Sequence, residues 1–163
     1  MIQDSGERRE FESGAVRDIQ EGKGRCDLLP LAEVAKWLAT NDPYIVRDPF
    51  IAYMYLSKDD VQYLYLALDE FINAREWDRP TAILEVSKHF EEGMKKYGVD
   101  NWRKGIPTSS FFDSAIRHYL KWLRGDDEER HDRAVVWNVL CMIWTIQNKP
   151  EWDDMVRKEK EDG

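Results

Sequence analysis

Gly125-Asp126-Asp127-Glu128-Glu129-Arg130-His131-Asp132-Arg133-Ala134-Val135-Val136-Trp137-Asn138 runs a dense polar cluster straight into an apolar helical pattern. Carboxylates at the head of a buried helix are costly unless a cation satisfies them, so chemistry is expected at this junction. Asp132, Val136, Val139 and Ile143 share one azimuth of a helix with 3.6 residues per turn, which makes Asp132 the polar end of an apolar stripe. Glu129 and Asp132 have the ExxD spacing that sets two carboxylates on neighbouring positions of one helical face. Oxygen donors of this kind suit magnesium together with water and phosphate oxygens. Salt bridges from Asp132 to Arg117, Lys121 or Arg124 are the purely structural alternative.

The helix that carries this stripe is predicted from about Asp126 to Gln147, stopping before Pro150, with a short Glu- and Lys-rich helix after it. The preceding helix runs from Ser109 or Ser110 to Arg124 and ends at Gly125, with Phe111, Ala115, His118 and Trp122 as its stripe. Another starts near Pro80 and ends at Gly98, a residue suited to a left-handed cap. A further helix, Lys58 to about Glu76, takes Ser57 as N-cap and places Asp59 and Asp60 in its first turn. The first helix covers about Asp27 to Ala39, before Asn41-Asp42-Pro43, while Tyr44 to Leu56 is aromatic, interrupted by Pro49, and fits no single element. Almost no segment alternates with period two, so the fold class is all-α: one helical domain over 26–148, an N-terminal basic, glycine-punctuated arm over 1–25 expected to be loop and a candidate ligand lid, and a charged tail over 149–163.

Composition narrows the function. The chain has 163 residues, enough for one domain with a core, and its 24 Lys and Arg against 32 Asp and Glu give a net charge of −8. That balance disfavours a broad duplex nucleic-acid footprint, and any anionic ligand needs a local basic pocket. No apolar run approaches the roughly 20 residues of a membrane span, and Met1 to Arg9 lacks a signal-peptide core, so a cytoplasmic location is expected. Cys26 and Cys141 form neither a disulfide framework nor a metal-ligand spacing and read as reduced thiols.

On the helix from Pro80, Ile83, Val86, Phe90, Met94 and Tyr97 make the apolar arc, while Glu85, His89 and Glu92 fall within about 60° of one another and could share a ligand or form a solvated face. Tyr97 and Trp102 offer stacking surfaces beside Arg103 and Lys104, which suits a nucleotide, although such aromatics also pack beneath loops. Gly22-Lys23-Gly24-Arg25 could wrap a phosphate, yet it is not a Walker A loop, which needs the GxxxxGKS/T pattern after a strand. Asn138 and His131 align on one edge of their helix, where an amide usually finds a partner, either a base edge or a neighbouring helix. His118 alone reads as a core histidine or a ligand. Asp113 and Arg117 make an i,i+4 pair worth a few tenths of a kcal/mol if exposed.

Phe11 to Asp18, Gly22 to Pro30, Gly93 to Gly98 with Asn101 to Gly105, and His131 to Ala134 with Trp137-Asn138 together resemble the phage-type dATP/dGTP diphosphohydrolase N-terminal-like domain family (MazZ-like), among the MazG-like all-α nucleoside triphosphate pyrophosphatases. The similarity covers 11–30 and 80–148, and 41–79 reads as a helical insertion. The resemblance implies a four-helix-bundle-like core of MazG type with extra helices, and hydrolysis of a (deoxy)purine nucleoside triphosphate between the α and β phosphates. It implies magnesium, with manganese as the alternative, held by an EExxE helix and an ExxD helix. Glu129 and Asp132 match ExxD. Glu91-Glu92 is followed by Lys95 and Lys96 rather than Glu, so Glu85 with Glu92 is the substitute pair. On this reading Glu92, Asp132 and His131 are catalytic, and Glu85, Glu92, Glu129 and Asp132 hold the metal. Lys23, Arg25, Asn101, Trp102, Lys104, His118 and Asn138 bind substrate. The resemblance also implies a homodimer or homotetramer, in the host cytoplasm if phage-encoded. Two rivals are an HD-type phosphohydrolase built on His131-Asp132 with His89 or His118 and Asp153, and a non-enzymatic helical nucleotide- or protein-binding module.

Overall fold

The computed structural model describes residues 6–25, 29–30 and 61–155. The helix expected over 27–39 and the stretch 44–56 lie outside these residues, apart from Leu29 and Pro30, which are not helical. The described chain folds as β1 (Arg8–Glu10), β2 (Val16–Asp18), α1 (Gln62–Ala74), α2 (Arg79–Tyr97), α3 (Thr108–Arg124) and α4 (His131–Asn148), with 3-10 turns at Asn101–Arg103 and Pro150–Trp152. It is an all-α domain carrying one small two-stranded sheet. Among the described residues no helix is long and apolar enough to cross a membrane.

α3 and α4 form the centre. Phe111 on α3 meets Trp137 on α4 edge-on at 5.8 Å, and His118 meets His131 at 5.1 Å, so the two helices run antiparallel. Phe111, Phe112 and Ala115 on one side and Val135, Val139 and Met142 on the other are at most 1% exposed. Burial of this apolar surface at about 25 cal/mol per Å² is what holds the pair together. α1 closes one side, where Phe71 lies edge-on to Tyr119 at 6.1 Å and to Trp122 at 5.1 Å. α2 packs along α4.

The ends of α2 and α3 follow from their caps. Asp78 accepts from the Thr81 backbone N–H at 2.7 Å and begins α2, Pro80 sits in its first turn, and Gly98 follows it at φ +93°. α3 ends on Gly125 in the left-handed conformation at φ +86°. α1 is described from Gln62, with Val61 at its head, and the N-cap expected at Ser57 lies outside the described residues. One start differs from expectation. α4 begins at His131, five residues later than its charges suggest, because Asp126 turns back onto Arg124 at 2.8 Å and residues 126–130 make the reversal between the antiparallel helices. Glu129 and Asp132 therefore do not share a helical face.

α2 is also rotated. Its buried side is Ala82 and Val86, with Phe90 partly covered, whereas Ile83 is 64% and Met94 45% exposed. Small Ala82 lets the helix approach closely, and packing follows the contact rather than the sum of the large apolar residues. His89 moves with this rotation from the expected polar arc onto the ring of Trp137 at 5.5 Å.

The arm read as loop contains a hairpin, Arg8 opposite Asp18, Arg9 opposite Arg17 and Glu10 opposite Val16. Its strands of three residues are too short to show a period of two. The Asn101 side chain acts as a surrogate strand at the free edge of β2: its amide donates to Val16 O and its oxygen accepts from Val16 N, both at 2.9 Å. Ala15 is fully buried beneath. Ser13 Oγ donates to Gly105 O, and Gly105, at φ +127°, lies where a Cβ would sit 2.5 Å from Trp152 Nε1. Only glycine fits there.

Candidate active site

The hairpin, α2, the Asn101–Arg103 turn, α3 and the head of α4 enclose a cleft of about 980 Å³. A volume of this order suits a nucleotide-sized ligand. One wall is cationic. Arg17 projects from β2 with its guanidinium over Phe111 at 5.3 Å and Trp137 at 5.9 Å, and its Nη2 donates to Ser114 Oγ at 2.9 Å. Its Nη1 is buried and meets no partner among the described residues. Burial, followed by the neighbouring charge of Arg9, lowers its pKa to about 10, so it stays charged at neutral pH.

Asp113 and Arg117 sit beside it. Asp113 is buried, 1% accessible, and Arg117 is half-buried, so the pair is not the exposed one considered from sequence. Asp113 also accepts from Gln20 Nε2 at 2.6 Å, and Arg117 donates to the carbonyls of Lys23 at 3.2 Å and Gly24 at 2.6 Å. This network fixes the Gly22–Gly24 turn against α3. Lys23 reaches the cleft and pairs with Asp18 at 2.7 Å. Arg25 and Lys104 are exposed and do not line it.

The opposite wall is aromatic. Trp102 lies against Phe90 at 5.5 Å and Trp144 at 5.1 Å, with the Arg103 guanidinium 4.7 Å from its ring centre. Asn138 is 2% exposed, and its amide donates to Ala134 O at 2.8 Å. Its Oδ1, like Trp137 Nε1, is buried with no partner among the described residues. Asn101 reaches the cleft edge, but its side chain is engaged by β2.

The expected carboxylates are distributed differently. Glu85 accepts from Lys88 at 3.0 Å and from Arg133 Nη2 at 2.6 Å, which hold it below the usual carboxylate range. Asp132, 5% exposed, accepts from Arg75 Nε at 2.9 Å, from both Nε and Nη2 of Arg130 at 3.2 Å, and from the Arg133 backbone N–H at 2.8 Å. Burial opposes its ionisation, but these donors win and its pKa is lowered. The cation that this stripe requires is thus arginine, from residues other than the three read from sequence. Glu92 and Glu129 both line the cleft. With two of the four carboxylates bound to arginines, the set Glu85, Glu92, Glu129 and Asp132 does not fit a shared magnesium ion.

His118 and His131 come together, Nδ1 to Nδ1 at 2.8 Å. Burial first, then the neighbouring His131, keeps His118 well below the ordinary histidine range. His131 Nε2 lies 2.9 Å from Glu128 Oε1, and that contact pulls Glu128 down to about 2. The HD-type set does not assemble as expected: Asp132 faces arginines, and Asp153 accepts from Thr108 Oγ1 at 2.7 Å. Sequence reasoning missed Arg17 and the buried state of Asp113, whose signal, a cation two residues after buried Ala15, is legible only once the hairpin is known.

A family model described as dATP/dGTP diphosphohydrolase, N-terminal, matches residues 70–155, just over half of the chain. The matched span holds the end of α1 and all of α2, α3 and α4, and begins within the stretch 41–79 set aside as an insertion. No curated protein and no solved structure matches the chain. The aromatic and basic walls of the cleft agree in chemistry with that match, and the chain belongs to the dATP/dGTP diphosphohydrolase N-terminal family, a family of nucleotide hydrolases.

Proposed function

We propose that the chain hydrolyses a purine deoxynucleoside triphosphate, dGTP- or dATP-like, between the α and β phosphates, releasing monophosphate and pyrophosphate, with magnesium carried on the triphosphate. The observation that carries this reading is Arg17, a buried cation lining the cleft whose Nη1 meets no partner among the described residues. A buried guanidinium gains most from an anion that satisfies its fork, and phosphate does so bidentately. Lys23 and Lys121, at the same cleft, add charge for the leaving pyrophosphate. Phe90 and Trp102 supply a surface for the base, while the bare Asn138 Oδ1 and Trp137 Nε1 offer an acceptor and a donor suited to a purine edge. Glu92, which lines the cleft, takes the proton of the attacking water in this reading, as the bond from phosphorus to the bridging oxygen breaks. Exposed Leu66, Ile83 and Leu84 support assembly as a homo-oligomer.

The test is incubation with each canonical dNTP and NTP plus magnesium, resolving products by ion-exchange chromatography. Purine monophosphate with stoichiometric pyrophosphate is expected, and Arg17→Met is expected to lower kcat/KM by roughly 100-fold, equivalent to about 2.7 kcal/mol. Release of nucleoside with triphosphate, or an Arg17→Met variant as active as the parent, would overturn the reading.

A further inference from the structure

We propose that His118, His131 and Glu129 form a binding site for a divalent transition-metal ion of the manganese, iron, cobalt or zinc class, at the floor of the cleft. One ligand atom from each lies within 4.8 Å of the other two. A four-coordinate ion with bonds of about 2.0–2.1 Å needs donors about 3.3 Å apart, so the two Nδ1 atoms at 2.8 Å have to separate by only about 0.5 Å to admit it. His118 and Glu129 line the cleft, and His131, 2% exposed, stands behind them. Three protein donors leave a coordination position for water or a phosphate oxygen on the cleft side. Two imidazoles select this class over magnesium, which prefers an all-oxygen shell.

The far side of His131 supports the assignment. Its Nε2 sits 2.9 Å from Glu128 Oε1, so a ring that gives Nδ1 to the ion carries its remaining N–H toward that carboxylate. A carboxylate behind a ligating imidazole fixes the ring and raises its basicity. A competing set of Asp126, Glu128 and His131 is also close enough to converge, but Asp126 and Glu128 do not line the cleft, whereas His118 and Glu129 do. The neighbouring cations Arg130 and Lys121 pair with Asp132 and Glu128. Asp132, turned to Arg75 and Arg130, takes no part, so the HD dipeptide contributes only its histidine. The ion itself rests on this geometry, and its role beside the phosphates rests on the nucleotide-hydrolysis reading.

The test is titration of the metal-free full chain with cobalt(II) alone, without nucleotide, followed by visible ligand-field absorption. A saturable band at one equivalent is expected. Glu129→Gln, at a half-buried position in a turn, should weaken cobalt binding at least ~10-fold with the circular dichroism spectrum unchanged, and His118→Gln should remove the band. Asp126→Asn should leave the affinity within about threefold. No band for the parent chain, or a band insensitive to Glu129→Gln and lost in Asp126→Asn, would overturn the site. Cobalt binding without hydrolysis would retain the site and remove the catalytic reading. Full hydrolysis with magnesium and no cobalt band would do the reverse.

Discussion

The two walls of the cleft are built in opposite ways. The α3–α4 wall is held by packing: His118, His131 and Asn138 stand on helices whose inner faces are almost wholly buried, so their positions are consequences of the core. The hairpin wall is two strands of three residues, too small to bury a core of its own, and is tethered by polar side chains. Asn101 grips β2, Gln20 reaches Asp113, and Arg117 holds the carbonyls of the Gly22–Gly24 turn. A binding site gains rigidity on one side from shape and on the other from a few replaceable hydrogen bonds.

The sharpest way to break this contrast is Asn101→Ala. It leaves Val16 N–H and C=O without partners in a partly buried place, at a cost of about 2–3 kcal/mol. The larger effect is on substrate: with Arg17 no longer fixed, KM should rise at least ~10-fold, and a variant with unchanged KM would show that the tether is dispensable. A second change addresses the packed wall. His89, half-buried against Trp137, has its pKa lowered to about 4, mainly by burial, against an ordinary 6.5. The unfolded chain therefore binds more protons between those values, so stability is complete above pH 6.5 and falls as pH drops toward 4. Melting temperature should fall from pH 7 to pH 5, and His89→Phe should remove part of that slope, worth up to about 2 kcal/mol after allowance for partial exposure. An unaltered slope would place the titration elsewhere, with His118 next in line. The smallest expected effect is Asp154→Ala. Asp154 accepts from the Ser109 backbone N–H at 2.9 Å and from its hydroxyl at 2.6 Å, supplying a cap to the head of α3. Its loss should cost about 1 kcal/mol by chemical denaturation and leave kcat/KM within twofold.

The same contrast explains what could be read from the chain. Phe111, Ala115, His118 and Trp122 were legible as the inner face of α3, because a long helix in a core repeats its apolar period. Asp132 was legible as a carboxylate requiring a cation, but Arg75 lies 57 residues away and only the fold identifies it. The ExxD spacing promised one helical face for Glu129 and Asp132, yet the reversal after Gly125 consumed residues 126–130 and sent the two carboxylates to different neighbours. On α2, the arc of Ile83 and Met94 misled because Ala82 and Val86 make the actual contact. The hairpin was hidden, since three-residue strands offer too little pattern, and Asn101, which looked like a ligand residue, acts as its edge partner.

Gly105 joins these threads. Trp152, from the turn after α4, lies where a Cβ on Gly105 would have to go, and its ring meets Phe11 edge-on at 6.4 Å, while Ser13 bonds the Gly105 carbonyl. The far end of the family region is thus the abutment on which the N-terminal hairpin rests. A chain cut back to the last turn of α4 would keep every residue of the cleft and lose the footing of one of its walls.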